Sequence, residues 1–166
     1  MGQPPSPNIR TLNEALLYPG IAILEGLKNY SVGRGTDTPF EFVGAPWMDA
    51  ARISEELNDR NLPGVRTYAT QRTPTASHFA GESIPGLQIT VTDRDRFSSL
   101  RFGLELAGAI LRTHPGQMDL GQTLRLLGRT DSAEALERGA SSQEIWQSWQ
   151  AQIREFESVR SRYLIY

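Results

Sequence analysis

A strand and a helix in immediate succession constrain this chain more than any other feature. Residues 87–92 read Leu-Gln-Ile-Thr-Val-Thr, an alternation that puts Leu87, Ile89 and Val91 on one face of a strand. Asp93-Arg94-Asp95 follows, and either aspartate suits a helix cap. Residues 96–114 then carry Phe97, Leu100, Leu104, Ala107 and Leu111 as a helical stripe, widened by Phe102, Leu106, Ala109 and Ile110. So broad an apolar face requires deep burial against a sheet. Gly103 and Gly108 weaken an isolated helix, but they permit close approach of a packed neighbour. The expected class is α/β (α+β): a single domain in which a small mixed sheet is covered by several helices.

The remaining segments fit that class. Thr11 and Glu14 have capping-box spacing and open a short helix that Gly20 would end. Residues 21–24, Ile-Ala-Ile-Leu between Gly20 and Gly26, have the length and apolarity of a short buried strand. Residues 46–60 read as a helix, with Pro46 in its first turn and Ala50, Ile53 and Leu57 on one face. Residues 65–70 alternate as a strand, and 71–86 read as a long loop. Further helices are expected at 120–127 and 131–138. A Ser141/Glu144 capping box opens the last helix, with Ile145, Trp149, Ile153 and Phe156 as its buried face. The apolar residues 163–166 would add a strand or pin the tail to the core. Residues 1–10 read as an arm or linker, and 11–166 as the domain.

Composition removes several classes of function. A length of 166 residues suits one domain with a real core. With 17 basic and 19 acidic residues, no cationic surface for nucleic acid is expected. There is no cysteine, so neither disulfides nor thiolate chemistry enters. No apolar run approaches the roughly 20 residues of a membrane span, and the polar start does not read as a signal peptide. His78 and His114 lack a metal-ligand spacing, and no segment matches a phosphate-binding loop. No cofactor and no metal are expected.

The candidate site is residues 20–47. A polar, glycine-rich loop follows the apolar run and holds Glu25, Asn29, Ser31, Arg34 and Thr36. Gly33 and Gly35 flank Arg34, so the backbone can take positive φ there and let a ligand approach. An arginine held between two glycines offers a planar fork to a carboxylate or phosphate; the plainer reading is a tight turn with an exposed arginine. Glu25 is the nearest partner in sequence for Arg34, and the two are expected to pair. Tyr68 and the Thr73-Pro74-Thr75 segment would reach the same cleft from a neighbouring strand, or form a plain turn. Trp47 reads as core or interface before it reads as a sugar platform.

The segment EGLKNYSVGRGTDTPFEFVGAPW strongly resembles the signature of the bacterial exo-β-N-acetylmuramidases, a family long described as a domain of unknown function. PSPN near the start, LYPGIAILEG, NLPGV, Thr73-Pro74-Thr75, GLQITVTDRD and the terminal YLIY resemble further family blocks in family order, so the likeness covers nearly the whole chain. Many relatives read EGTN where this chain has Glu25-Gly26-Leu27-Lys28-Asn29, one residue longer. The resemblance implies a glycoside hydrolase that removes N-acetylmuramic acid from the non-reducing ends of peptidoglycan, in proteins exported or periplasmic at full length. It also implies an N-terminal Rossmann-like domain before the PSPN block, holding the proposed catalytic carboxylates. The chain then corresponds to the C-terminal half, and no catalytic role is carried onto its residues.

Its expected partners are that domain, in cis or as a separate chain, and a muramic-acid sugar. Glu25, Asn29, Ser31, Arg34 and Thr36 would line the cleft. On chemical grounds alone, Arg34 would read the lactyl carboxylate. The other function class is a standalone, non-catalytic carbohydrate-binding or domain-interaction module.

Overall fold

The structure is a computed structural model that describes residues 6–165, with Leu124 and Arg125 described by backbone alone. The first helix, α1 (Leu12–Ile21), begins as its capping box requires: Thr11 Oγ1 accepts the Glu14 N–H, and the Glu14 carboxylate accepts the Thr11 N–H. It does not stop at Gly20. It runs through Pro19 and Gly20 and tightens into a 3₁₀ turn at Ala22–Leu24. Residues 21–24 are therefore helical, which corrects the expected strand. All four are buried, and a short apolar run between glycines reads the same way for either buried element. Tertiary packing decides it. The Gly20 N–H donates to Ser99 Oγ at 2.9 Å, and that hydroxyl donates to the Leu17 carbonyl at 3.1 Å.

Three antiparallel strands form the sheet: β1 (Phe42–Gly44), β2 (Val65–Arg72) and β3 (Ile84–Val91), in the order β1-β3-β2. The β2–β3 register runs from Val65 opposite Val91 to Arg72 opposite Ile84. The strands thus take in Gln71, Arg72 and residues 84–86 from the expected loop. Those residues lack alternation, and only pairing with the opposite strand identifies them.

Helix α2 (Ala50–Asp59) packs on this sheet. Ser54 Oγ and Asn58 Nδ2 both donate to the Thr67 carbonyl, at 2.9 and 2.8 Å. Asp49, not Pro46, opens the helix, with Asp49 Oδ1 accepting the Arg52 N–H.

The core centres on α3 (Ser99–Thr113), which is buried continuously from Phe102 to Ile110 and touches α1, α2 and α6. Its N-cap is Ser98, which corrects the expected aspartate cap. Asp93 instead accepts the Asp95 and Arg96 N–H groups in a turn ahead of the helix. Leu100 departs from the expected stripe and lies at the surface.

Helices α4 (Leu120–Leu127), α5 (Thr130–Glu137) and α6 (Ser142–Arg160) complete the domain. The Ser141/Glu144 capping box opens α6 as expected. Ile145 and Trp149 are buried, with Trp149 Nε1 donating to Ser132 Oγ at 2.9 Å. Beyond them the expected buried face fails: Ile153 is half-buried and Phe156 is 64% exposed, because α6 outruns the helices beneath it. Tyr163, Leu164 and Ile165 are exposed and form no strand, while Tyr166 lies outside the described residues. Among the described residues no helix is long and apolar enough to cross a membrane.

Candidate functional site

The loop between the 3₁₀ turn and α2 is clamped at its ends. The Glu25 N–H donates to the Ala22 carbonyl at 3.0 Å. Further on, Ser31 and Gly44 exchange backbone hydrogen bonds at 2.8 and 3.0 Å, tying the loop to β1. Gly33 and Gly35 both have positive φ, 81° and 83°. Space demands glycine there as well: a Cβ on Gly33 would lie 2.5 Å from the Phe42 carbonyl oxygen, and one on Gly35 would lie 2.2 Å from that of Ala76. The two glycines therefore fix the chain on either side of Arg34.

Arg34 is held from two directions. Its Nε donates to Glu25 Oε1 at 2.5 Å, as expected from sequence, and its guanidinium carbon lies 5.2 Å from the centre of the Phe40 ring. Phe40 is buried and itself carries a positive φ of 64°, and its ring meets Tyr18 edge-on. Both charged side chains are partly exposed, 33% for Arg34 and 25% for Glu25. Charge and donor fork thus reach solvent together, backed by the buried Phe40 ring.

The other expected site residues lie in two places. Ser31 is buried, and its hydroxyl accepts the Gly33 N–H at 3.2 Å. Thr36 donates to the Gly33 carbonyl at 2.7 Å and accepts the Thr38 N–H at 3.2 Å. These two hydroxyls brace the turn that presents Arg34. Asn29 faces another way, and its Nδ2 donates to the Gln117 carbonyl at 2.9 Å.

On the far side of the turn lies a polar pocket of about 520 Å³. Residues 35–39 form one wall. The N-terminal segment supplies Asn8 and Arg10, and the end of β2 supplies Arg72, Thr73 and Thr75. Thr75 closes the seam by donating both its N–H and its hydroxyl to the Gly35 carbonyl, at 2.8 and 2.9 Å. The 73–75 segment therefore meets the loop, while Tyr68 stands on the open sheet face, 55% exposed. Sequence reasoning singled out neither Arg10, Asp37 nor Arg72. The only signal was the placing of Thr73-Pro74-Thr75 near the cleft.

Trp47 joins a cluster of rings next to Asn29. Its Nε1 donates to the Asn29 carbonyl at 2.9 Å, and its ring stacks on Tyr30 and leans on His114. Tyr30 is buried, its hydroxyl has no partner among the described residues, and burial pushes its phenol pKa upward. His114 Nε2 accepts the Asp49 N–H at 3.0 Å, and His78 Nδ1 donates to the Tyr30 carbonyl at 2.7 Å. Both histidines are thus engaged by the backbone. Among the described residues no group of three or more acids and histidines is placed to hold a metal ion.

An α/β domain built around a clamped, glycine-fixed loop with an exposed Glu–Arg pair is the class the geometry defines. The family model for the C-terminal part of "Exo-beta-N-acetylmuramidase NamZ" matches residues 16–166, and the chain belongs to that family. It is 36% identical over 165 residues to the peptidoglycan β-N-acetylmuramidase NamZ of Bacillus subtilis (strain 168), covering 98% of this chain and 40% of that protein. The fold is shared with a crystal structure of a DUF1343 family protein from Bacteroides fragilis NCTC 9343. The TM-score is 0.74 at 22% identity, covering all of this chain and 45% of the other. The chain thus spans less than half the length of these relatives.

Proposed function

We propose that this chain is the cleft-forming, substrate-binding half of a peptidoglycan-active glycoside hydrolase, of the type that releases N-acetylmuramic acid from non-reducing ends. The observation that carries this is the Glu25–Arg34 pair, presented by a glycine-fixed loop in a chain of this family. Arg34 gives its Nε to Glu25 and faces solvent with the rest of its fork, a geometry suited to the lactyl carboxylate of muramic acid. Glu25 and Arg34 line the cleft, Ser31 and Thr36 support the turn, and Asn29 fixes the loop's approach to the segment at Gln117.

Glycoside hydrolysis needs two well-placed carboxylates. In this reading they come from an N-terminal Rossmann-like domain, in cis or as a separate chain. The purified chain is therefore expected not to hydrolyse a chromogenic N-acetylmuraminide, and to support turnover when the N-terminal domain of the Bacillus subtilis relative is added. Robust hydrolysis by the chain alone, abolished by Glu25→Gln, would overturn this division of labour.

A second reading, a standalone carbohydrate-binding or interaction module without turnover, is favoured by the pocket at residues 35–39, whose walls this chain supplies alone. Binding of N-acetylmuramic acid with no turnover in the reconstituted pair would select it.

A further inference from the structure

We propose that the pocket walled by residues 35–39, the N-terminal segment and the end of β2 is a carboxylate-binding site, with Arg72 as the reader and Arg10 beside it. Neither Glu25 nor Arg34 lines this pocket, so it is a second place of recognition on the same loop.

Among the described residues several surface arginines lack a carboxylate partner, while Arg10, Arg34, Arg60, Arg112, Arg129 and Arg138 each have one within 4 Å. Arg72 does not: among the described residues no carboxylate lies within 4 Å of it. Its Nη1 donates to Thr70 Oγ1 and the Gln71 carbonyl, both at 3.1 Å, and its Nη2 to Gln88 Oε1 at 3.4 Å. These acceptors are neutral. They hold the fork at the strand end and leave its charge uncompensated. Arg10 differs: it donates to the Asp37 and Thr36 carbonyls at 2.9 and 3.4 Å and also has the Glu14 carboxylate at 3.9 Å.

The lining holds these two cations and one acid, Asp37, and since Glu14 stands against Arg10, the unpaired charge in the pocket is that of Arg72. The walls are preformed, because Gly35 is locked by its positive φ and by both bonds from Thr75. A polar pocket of about 520 Å³ also falls in the size range of small-ligand sites. A planar fork at its rim matches a carboxylate by two parallel bonds, and Thr73 lines the same pocket.

Two peptidoglycan sources carry that chemistry, the stem peptide and the lactyl ether of a muramic acid other than the one read by Arg34. The choice of peptidoglycan rests on the function proposed above, whereas the preference for a carboxylate does not.

The test is amide chemical-shift titration of the ¹⁵N-labelled chain with four probes: N-acetylmuramic acid, L-alanyl-D-glutamate, D-glucuronate and N-acetylglucosamine. The expected result is that one or both of the first two move the amides of residues 35–38 and 72–75, while N-acetylglucosamine does not. Whichever of the two binds identifies the source. Arg72→Gln should weaken binding about tenfold or more, the scale of a lost charged hydrogen bond, and Arg72→Lys should recover part of it. Asp37→Asn should tighten binding, and this variant decides the matter should Arg72→Gln not fold. Shifts confined to the Glu25–Arg34 side, equal binding of N-acetylglucosamine, or no binding of any acid would overturn the proposal. Binding unchanged in Arg72→Gln would do the same. Glucuronate binding at this pocket without either peptidoglycan probe would uphold the carboxylate site and remove peptidoglycan as its ligand.

Discussion

Gly20 and Gly103 meet without room for a methyl group: a Cβ on Gly103 would lie 2.4 Å from the Gly20 carbonyl oxygen. The obstruction is backbone, so α1 and α3 would have to move apart. Gly103→Ala should therefore destabilise the fold by about 1–3 kcal/mol despite its better helix propensity. Gly108→Ala is the control in the same helix. Its Cβ would meet only the far end of the Arg112 side chain, at 2.9 Å, and it should be neutral or stabilising. Urea midpoints of the two variants check the contrast.

The Glu25–Arg34 pair is half out of solvent, so its coupling should exceed that of a fully exposed pair. A double-mutant cycle with Glu25→Gln and Arg34→Gln is expected to give about 1 kcal/mol, at the upper end for surface pairs. Arg34→Ala should also raise amide exchange across residues 29–38 while leaving β3 protected. Unchanged exchange in that loop would mean that the glycines and hydroxyls hold it without the arginine.

Glu105 is buried in α3 and has two partners: Ser142 Oγ donates to Oε1, and Arg60 Nη1 pairs with Oε2 at 3.0 Å. This one carboxylate ties α2, α3 and α6 together. Arg60→Ala leaves the buried charge with only the Ser142 hydroxyl and should cost about 1–3 kcal/mol. Adding Glu105→Gln to that variant should restore part of the loss, which chemical denaturation of the single and double variants measures.

Glu41 sets a pH dependence of unusual sign. Its pKa is raised above the ordinary glutamate value by burial, against a lowering hydrogen bond from Thr11 and with a further rise from the charge of Glu14. The folded state thus binds this proton more tightly than the unfolded chain does. Its contribution favours folding at acid pH and is lost as pH rises through the raised folded value. Glu41→Gln should therefore gain stability over the parent at pH 7. That gain should shrink as pH falls from the raised folded value towards the ordinary glutamate value, and be lost below it. Denaturation curves at pH 7 and pH 4 decide the sign.

Local chemistry was legible in the sequence wherever it acts within a few residues. Both capping boxes, the positive φ at Gly33 and Gly35 and the pairing of Arg34 with Glu25 follow from short-range spacing. The alternation at 87–91 named a strand because one face of β3 is core and the other is not. Residues 21–24 misled because buried helices and buried strands share an apolar run. Phe156 misled because helical spacing marks a face without saying whether anything lies under it. Arg72 went unseen for a different reason. Its meaning depends on which acids are absent around it, and that depends on a hairpin register no short window contains.

The partial burial of α6 has a consequence for time as well as for space. Ile145 and Trp149 anchor the beginning of this helix, whereas residues 154–160 are exposed on every side. The outer turns have only their own backbone ladder, and a free helical segment shorter than about 12–15 residues is marginal in water. The helix therefore carries a gradient of lifetimes along its length. Its amides will open fastest near Arg160 and slowest near Ile145, so that one continuous helix joins a part governed by global unfolding to a part governed by local fraying.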